Sequence, residues 1–293
     1  MKKIRWAAAV AVPASVLLAR RRRDLGMPAW LSLAVAAAAP IATAAAFPAG
    51  RVRQGGTWTA FMWAYKIAFE VPHDRPQSHY RRLHVDGPLA IDARLGGGEP
   101  PTATLQRRLR RPPRLTALDR AAALFYSTWE AMPHLTLAWI LARRPERFPA
   151  AAVRLGATFA GTVPCYFAYP AAPPWWASER EGRMGGAVRR VTLEVEKELH
   201  EEPRPGTDHD TGANPWASMP SDHLASSAMT AAILAEIDPR AGAAGALYAV
   251  LLGATLVYTG EHYVVDLGAG LALAALVYTA AGPLAALVRR RVG

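Results

Sequence analysis

Apolar and charged residues are segregated along this chain rather than interleaved. Residues 25–50, 155–178, 241–260 and 267–288 carry no charge at all. Uncharged, mostly apolar runs of about 20 residues match the length of a membrane-crossing helix. One such run can be the core helix of a soluble protein, but four are hard to bury together. The pattern predicts an all-α, polytopic membrane bundle, against the alternative of a soluble alanine-rich protein. Many positions in these runs are Ala or Gly, and small residues let helices approach closely in lipid.

Taken in order, helices are expected at 6–19, 28–47, 57–71, 117–142, 150–169, 221–237, 243–258 and 262–288. The 57–71 segment is aromatic (Trp58, Phe61, Trp63, Tyr65, Phe69) but contains Lys66 and Glu70, so it is a borderline span or an interfacial amphipathic helix. Residues 72–116 are polar and punctuated by Gly87-Pro88, Gly96-Gly97-Gly98 and Pro112-Pro113, with a short helix around 102–109. Val188, Val191, Val195 and Leu199 recur at helical spacing in the charged stretch 177–213 and predict a surface helix. These elements divide the chain into N-terminal membrane helices (1–56), an amphipathic segment with a basic loop (57–116) and a catalytic helical bundle (117–293), all within one membrane domain. The bundle is of six-helix type, with amphipathic helices added.

Composition changes this picture little. The chain is 52% apolar with a mean hydropathy of only +0.06, as expected when apolar runs alternate with charged ones. The net charge is +11, with basic clusters at 20–23, 107–114 and 289–291. These clusters flank apolar runs, so they suit anchoring to anionic membrane lipid rather than nucleic acid. The lone cysteine, Cys165, excludes an internal disulfide or a cysteine-based zinc site. The Lys2-Lys3-Ile4-Arg5 start resembles a signal peptide, but the run ends in four arginines without a small-residue cleavage site, so a retained helix is expected.

The chemistry concentrates between Asn214 and Asp266. His223 opens one helix and His262 opens the helix after next, with one antiparallel helix between them. Helix parity therefore places both histidines, and the 170–216 loop, on one membrane face. Asp266 follows His262 by four residues, one turn away. A carboxylate there can hold Nδ1–H of the imidazole and leave Nε2 free. Pro220-Ser221 before His223 reads as a helix N-terminus with Ser221 as cap, where free N–H groups suit a phosphate. Together these groups fit phosphoryl transfer: His262 attacks phosphorus, Asp266 stabilises the charge, and His223 protonates the leaving oxygen and deprotonates the acceptor. Two histidines and an aspartate also suit zinc. However, the chain lacks His-Glu-x-x-His spacing, and Pro220-Ser221 would then have no role; no metal and no cofactor are expected.

Pro220-Ser221-Asp222-His223 and Gly260-Glu261-His262-Tyr263-Val264-Val265-Asp266 resemble the second and third signature motifs of the type 2 phosphatidic acid phosphatase superfamily. More narrowly, the stretches from Asn214 and from Tyr258 resemble the inositolphosphorylceramide synthase-like branch. So do the proline-rich turn at 169–176 and the segment 91–106. The resemblance covers roughly residues 80–275. It implies a metal-independent helical-bundle enzyme with a phosphohistidine intermediate, and it makes Ser221, Asp222 and Tyr263 candidate substrate contacts. The chain departs from the phosphatase pattern in three places. It has no Lys-x6-Arg-Pro motif, it has Thr255-Leu256 where Ser-Arg is usual, and it has Asp222 where a small residue is usual. Arg183, Arg189 and Arg190, in the loop on the same face, are then the candidate phosphate cations. The missing cations favour a membrane lipid phosphotransferase, moving a phosphorylated head group between a lipid and an alcohol, over a phosphatase of phosphatidate or polyprenyl phosphate. A binding or scaffold protein with a dead site is the third possibility. The expected partners are phospholipid or lipid-phosphate substrate and membrane lipids. Arg143, Arg144 and Arg147, with 289–291, lie on the face opposite the site, so the positive-inside rule places the site outside a bacterial cell membrane.

Overall fold

The structure is a computed structural model, and it describes residues 2–199 and 214–281. The described chain is helical, with no strand among the described residues. The helices are α1 (Lys2–Arg20), α2 (Ala29–Ala46), α3 (Arg51–Glu70), α4 (Pro76–Tyr80), α5 (Asp86–Leu95), α6 (Pro101–Leu109) and α7 (Ala117–Ser127). They continue with α8 (Met132–Arg143), α9 (Phe148–Ala168), α10 (Pro174–Glu179), α11 (Val191–Leu199), α12 (Asp222–Ala235), α13 (Pro239–Thr259) and α14 (Val264–Ala280). The all-α expectation holds.

Local chemistry sets the helix ends. Thr116 and Asp119 form a reciprocal capping box at the start of α7. Ser221 caps α12 by accepting from the Leu224 N–H at 3.3 Å. Asp238 caps α13, with Pro239 at its first position. At the other end of α13, Gly260 adopts φ 82°, a left-handed termination that glycine tolerates best.

α12 is the central helix, packed on α8, α9, α13 and α14. One core joins Tyr65 of α3, Leu137 and Ile140 of α8, Leu155 and Phe159 of α9, and Met229 and Ile233 of α12. A second joins Leu224, Leu252, Leu256 and Leu267 across α12, α13 and α14. α12 and α13 approach through small residues: a Cβ on Gly242 would lie 2.4 Å from that of Ala235. Among the described residues, α2 and α13 are long and apolar enough to cross a membrane, and α14 is apolar over a shorter length. Large apolar side chains stand exposed along α2 (Trp30, Ile41), α13 (Leu247, Val250) and α14 (Leu271, Leu276), a surface better matched to lipid than to water.

Several boundaries differ from the sequence expectation. The 117–142 helix is broken by a 3-10 turn at Thr128–Glu130, with Pro133 in the first turn of α8. By contrast, α9 ends at Ala168, within a residue of the expected 150–169 helix, and the proline-rich stretch that stops it starts the short α10. α3 runs across the 56/57 boundary and packs on α2 and α9. His262 precedes α14 rather than opening it, since Gly260 turns the chain and Tyr263 is the N-cap. Residues 282–288 of that expected helix, and the arginines at 289–291, lie outside the described residues.

Two basic clusters are partly internal rather than wholly lipid-facing. The buried Arg22 guanidinium bonds Asp74 at 2.8 and 3.0 Å and Glu70 at 2.8 Å. The buried Arg110 lies 3.4 Å from Asp119 and also bonds Glu194. A guanidinium removed from water needs paired carboxylates, and these pairs tie α1 to α3 and α6 to α7 and α11.

Candidate active site

The site forms where the α11–α12 and α13–α14 connections meet. Ala171 is bridged on one side to His84 and on the other to Ala217, so the proline-rich turn aligns the segment leading into α12. The Trp175 N–H donates to the Gly260 carbonyl at 3.1 Å. The Ser221 N–H donates to the Asp266 carbonyl at 3.0 Å, which joins the start of α12 directly to α14. A Cβ on Gly270 would meet the Ser221 carbonyl oxygen at 2.4 Å; this close approach needs a glycine.

Two side chains from the upstream segment complete the frame. The fully buried Asp92 accepts from the Val264 and Val265 N–H groups at 3.1 and 2.9 Å. It thus holds the first turn of the helix that carries Asp266. Gln106 donates to the Tyr258 and Arg189 carbonyls, both at 2.9 Å, and accepts from the Arg189 N–H at 2.9 Å. It thereby pins the segment before α11 against the end of α13.

Within this frame the histidines meet. His262 Nε2 lies 3.1 Å from His223 Nδ1. His223 Nδ1 also lies 3.1 Å from Asp222 Oδ1, and the other oxygen of Asp222 accepts from the Tyr65 hydroxyl at 2.6 Å. On the far side, His262 Nδ1 faces Asp266 Oδ2 at 3.5 Å, longer than a formed hydrogen bond. Ser218 sits between them: its hydroxyl donates to Asp266 at 2.5 Å and lies 3.4 Å from His262 Nδ1. The Tyr263 N–H also donates to Asp266, at 2.9 Å. His223 packs against the Trp129 ring at 4.0 Å and the Tyr126 ring at 5.4 Å.

The proton positions follow from acceptor chemistry. A carboxylate can only accept, so His223 Nδ1 carries a proton directed at Asp222 and His262. His262 Nε2 is then the acceptor, and its own proton sits on Nδ1, toward Asp266 and Ser218. That leaves a lone pair on His262 Nε2 and directs His223 Nε2 away from the pair.

The histidines line a cavity of about 1110 Å³. Its polar end holds Arg190, Thr192, Ser218, Asp222 and Glu261, and its walls include Met62, Phe69, Leu124, Trp129 and Phe159. The lining also includes the exposed Lys66 and Glu130, so the cavity reaches the surface between α3 and the α7–α8 break.

The three candidate arginines do different things. Arg190 lines the cavity, stacks over Trp175 at 4.8 Å and pairs with Glu261 at 3.0 Å. Burial raises the Glu261 carboxyl, but Arg190 and a hydrogen bond from Thr192 outweigh it and hold the group below its ordinary range. Arg189 pairs with Glu194 and Glu179 and is half exposed. Arg183 pairs with Asp86 at 2.7 Å on the surface. Neither Arg183 nor Arg189 is among the residues lining the cavity. Ser221 is buried as a helix cap, and Tyr263 is buried beneath the site; neither lines the cavity. Ser218, Glu261, Tyr65, Asp92 and Gln106 also build the site, beyond the candidate residues of the sequence. Ser218 and Glu261 lie inside the quoted motifs, Asp92 and Gln106 within the upstream segment, and Tyr65 among the aromatic residues of 57–71, outside every resembling segment. Among the described residues, no group of three or more His, Cys, Asp and Glu side chains is arranged around a metal position.

A histidine pair backed by carboxylates, with an arginine at the same end of a cavity in a helical bundle, suits phosphoryl transfer. The family comparison agrees: residues 89–280 match the PAP2 superfamily, and the chain belongs to it. Members of this superfamily are phosphatases and phosphotransferases acting on phosphate esters, which is the class of activity assigned to this chain. Comparison with curated proteins and with solved structures returned no match.

Proposed function

We propose that this chain is an integral membrane lipid phosphotransferase. It moves a phosphorylated head group, of inositol phosphate type as in the branch it resembles, from a lipid donor to an alcohol acceptor. The observation that carries this reading is the shape of the cavity: a histidine pair and Arg190 at its polar end, with apolar walls leading to the surface between α3 and α7–α8. A lipid phosphate fits that polarity, with its head at the histidines and its chain along Met62, Phe69 and Leu124.

The reaction proceeds in two displacements. His262 Nε2 forms a bond to phosphorus as the bond to the leaving oxygen breaks, and His223 gives its Nε2 proton to that oxygen. The acceptor hydroxyl then gives its proton back to His223 as its oxygen attacks phosphorus and the P–N bond breaks. For His262 to attack, the contact between the two histidines must open. His223, 16% exposed against 4% for His262, is the ring with room to turn. Arg190 releases part of its pairing with Glu261 to meet the phosphate oxygens. No step calls on a metal.

Hydrolysis of phosphatidate or a polyprenyl phosphate uses the same residues with water as acceptor. Purified protein supplied with a panel of labelled phospholipids and lipid phosphates separates the two: a new phospholipid supports transfer, free phosphate supports hydrolysis, and no turnover of any member defeats both. The turn at 143–147, rich in arginine, joins the ends of α8 and α9 remote from the histidines. Under the positive-inside rule this supports a site facing the exterior of a bacterial membrane, and reporter fusions at residues 100 and 293 test that orientation.

A further inference from the structure

From the contacts around the motif histidines, we infer that Asp222 is a positioning residue for His223, giving this chain a carboxylate partner on each of its two histidines. The inference rests on the phosphoryl-transfer reading above. Asp222 stands where a small residue was expected, and beside a phosphate site a free carboxylate would repel the substrate. The structure removes that conflict. Asp222 is buried, and its two oxygens are engaged by the Tyr65 hydroxyl at 2.6 Å and by His223 Nδ1 at 3.1 Å. Although Asp222 lines the polar end of the cavity, its charge is shared with the Tyr65 hydroxyl and the imidazole.

The result is one continuous chain: Tyr65, Asp222, His223, His262 and then Ser218 with Asp266. Asp222 fixes the His223 tautomer with the proton on Nδ1. That leaves Nε2 as the atom facing the leaving oxygen, and Tyr65, reaching across from α3, keeps the carboxylate aimed.

Other charged and titratable groups also face His223. Tyr126 of α7 and His262 contact it, with Asp266 behind His262, and Glu130 of the α7–α8 turn, Arg190 and Glu261 line the same cavity. All of them remain in the variants proposed here, so a change isolates Asp222.

The test is the pH dependence of kcat/KM for Asp222→Asn, alongside the pH dependence of His223 carbethoxylation followed by peptide mass spectrometry. The basic limb of the rate profile and the midpoint of modification both move to lower pH by about one unit or more, the usual effect of losing an adjacent opposite charge. Asp222→Glu restores most of the shift. Where Asp222→Asn does not fold, Tyr65→Phe with Asp222→Gly removes donor and acceptor together and gives the same displacement. A lowered rate with an unmoved limb and an unmoved midpoint makes Asp222 merely structural and overturns the inference. Absence of turnover in the wild type would instead defeat the phosphoryl-transfer reading, while the modification midpoint still decides whether Asp222 and His223 are coupled.

Discussion

Replacing Arg190 by Gln tests the assignment of the phosphate cation, and the structure shows why a single substitution gives a mixed answer. Arg190 is 22% exposed and Glu261 8%, at 3.0 Å. Removing the guanidinium withdraws charge-assisted hydrogen bonds from a transferring phosphoryl group, and one preorganised donor of this kind is worth about 3–4 kcal/mol, or a 10²–10³-fold loss of rate. It also strands a buried carboxylate, and breaking a buried pair from one side costs about 3–5 kcal/mol of stability. The Thr192 hydroxyl still donates to Glu261, which places the stability cost toward the lower figure. Arg190→Gln with Glu261→Gln separates the effects, since two neutral amides leave no unpaired charge. Thermal unfolding in detergent and kcat/KM on whichever lipid phosphate the panel shows to be turned over are measured on the same preparations. The single variant is both less stable and 10²–10³-fold slower. The double variant regains most of the stability and none of the rate. If it regains the rate, or if the single variant keeps wild-type kcat/KM, Arg190 does not contact the phosphate.

His262→Ala abolishes any acid-labile phosphoenzyme trapped from labelled substrate, whereas His223→Ala slows both its formation and its breakdown; wild-type turnover in His262→Ala excludes it as nucleophile. Asp266→Asn lowers kcat by orders of magnitude, because the amide can present N–H to Nδ1 and favour the wrong tautomer; equal rates for Asp266→Asn and wild type would remove Asp266 from the mechanism. Activity is unchanged by EDTA, and recovery on adding back a divalent ion after loss would restore the zinc alternative. Burial holds His79 at about 4, below the ordinary 6.5. An unfolded His79 takes up a proton below about 6.5 while the folded one does not, so stability falls between pH 6.5 and 4 by at most roughly 3.5 kcal/mol. His79→Leu flattens that slope in pH-dependent unfolding, and an unchanged slope refutes the assignment.

The parts of this molecule legible in its sequence were those fixed by short-range chemistry. Helix parity put His223 and His262 at one end of the bundle, and the structure places them 3.1 Å apart. Ser221 caps α12 as its place before an apolar run implied. Contacts made across the chain were not legible. The role of Lys66 and Glu70 in α3 could not be read from their charge alone, since Arg22 pairs with Glu70 across 48 positions. The i,i+4 spacing of His262 and Asp266 suggested one direct bond. The turn at Gly260 puts His262 outside α14, however, and Ser218 enters the gap from the other motif. The three arginines looked equivalent in one charged loop. Only the backbone clamp of Gln106 and the Trp175 face separate Arg190, turned into the cavity, from Arg189, turned out of it.

That clamp bears on why the match to the superfamily begins as far upstream as residue 89. The 91–106 segment supplies no group to the cavity lining, yet it carries two buried polar side chains with only backbone partners, Asp92 and Gln106. One fixes the helix start bearing Asp266, and the other fixes the segment leading to Arg190. Under the proposed mechanism the nucleophile and the phosphate cation must both be held to within a fraction of an ångström, and neither motif can ensure that alone. Asp92 satisfies two N–H groups that the α14 terminus leaves open. Burial raises its carboxyl, the two N–H bonds lower it, and the nearby Asp266 adds to the upward push. A buried carboxylate kept there despite that opposition is better explained by the position it imposes on α14 than by any stability it adds. The upstream segment therefore belongs to the catalytic unit, and a boundary at 116/117 would separate the histidines from the groups that aim them.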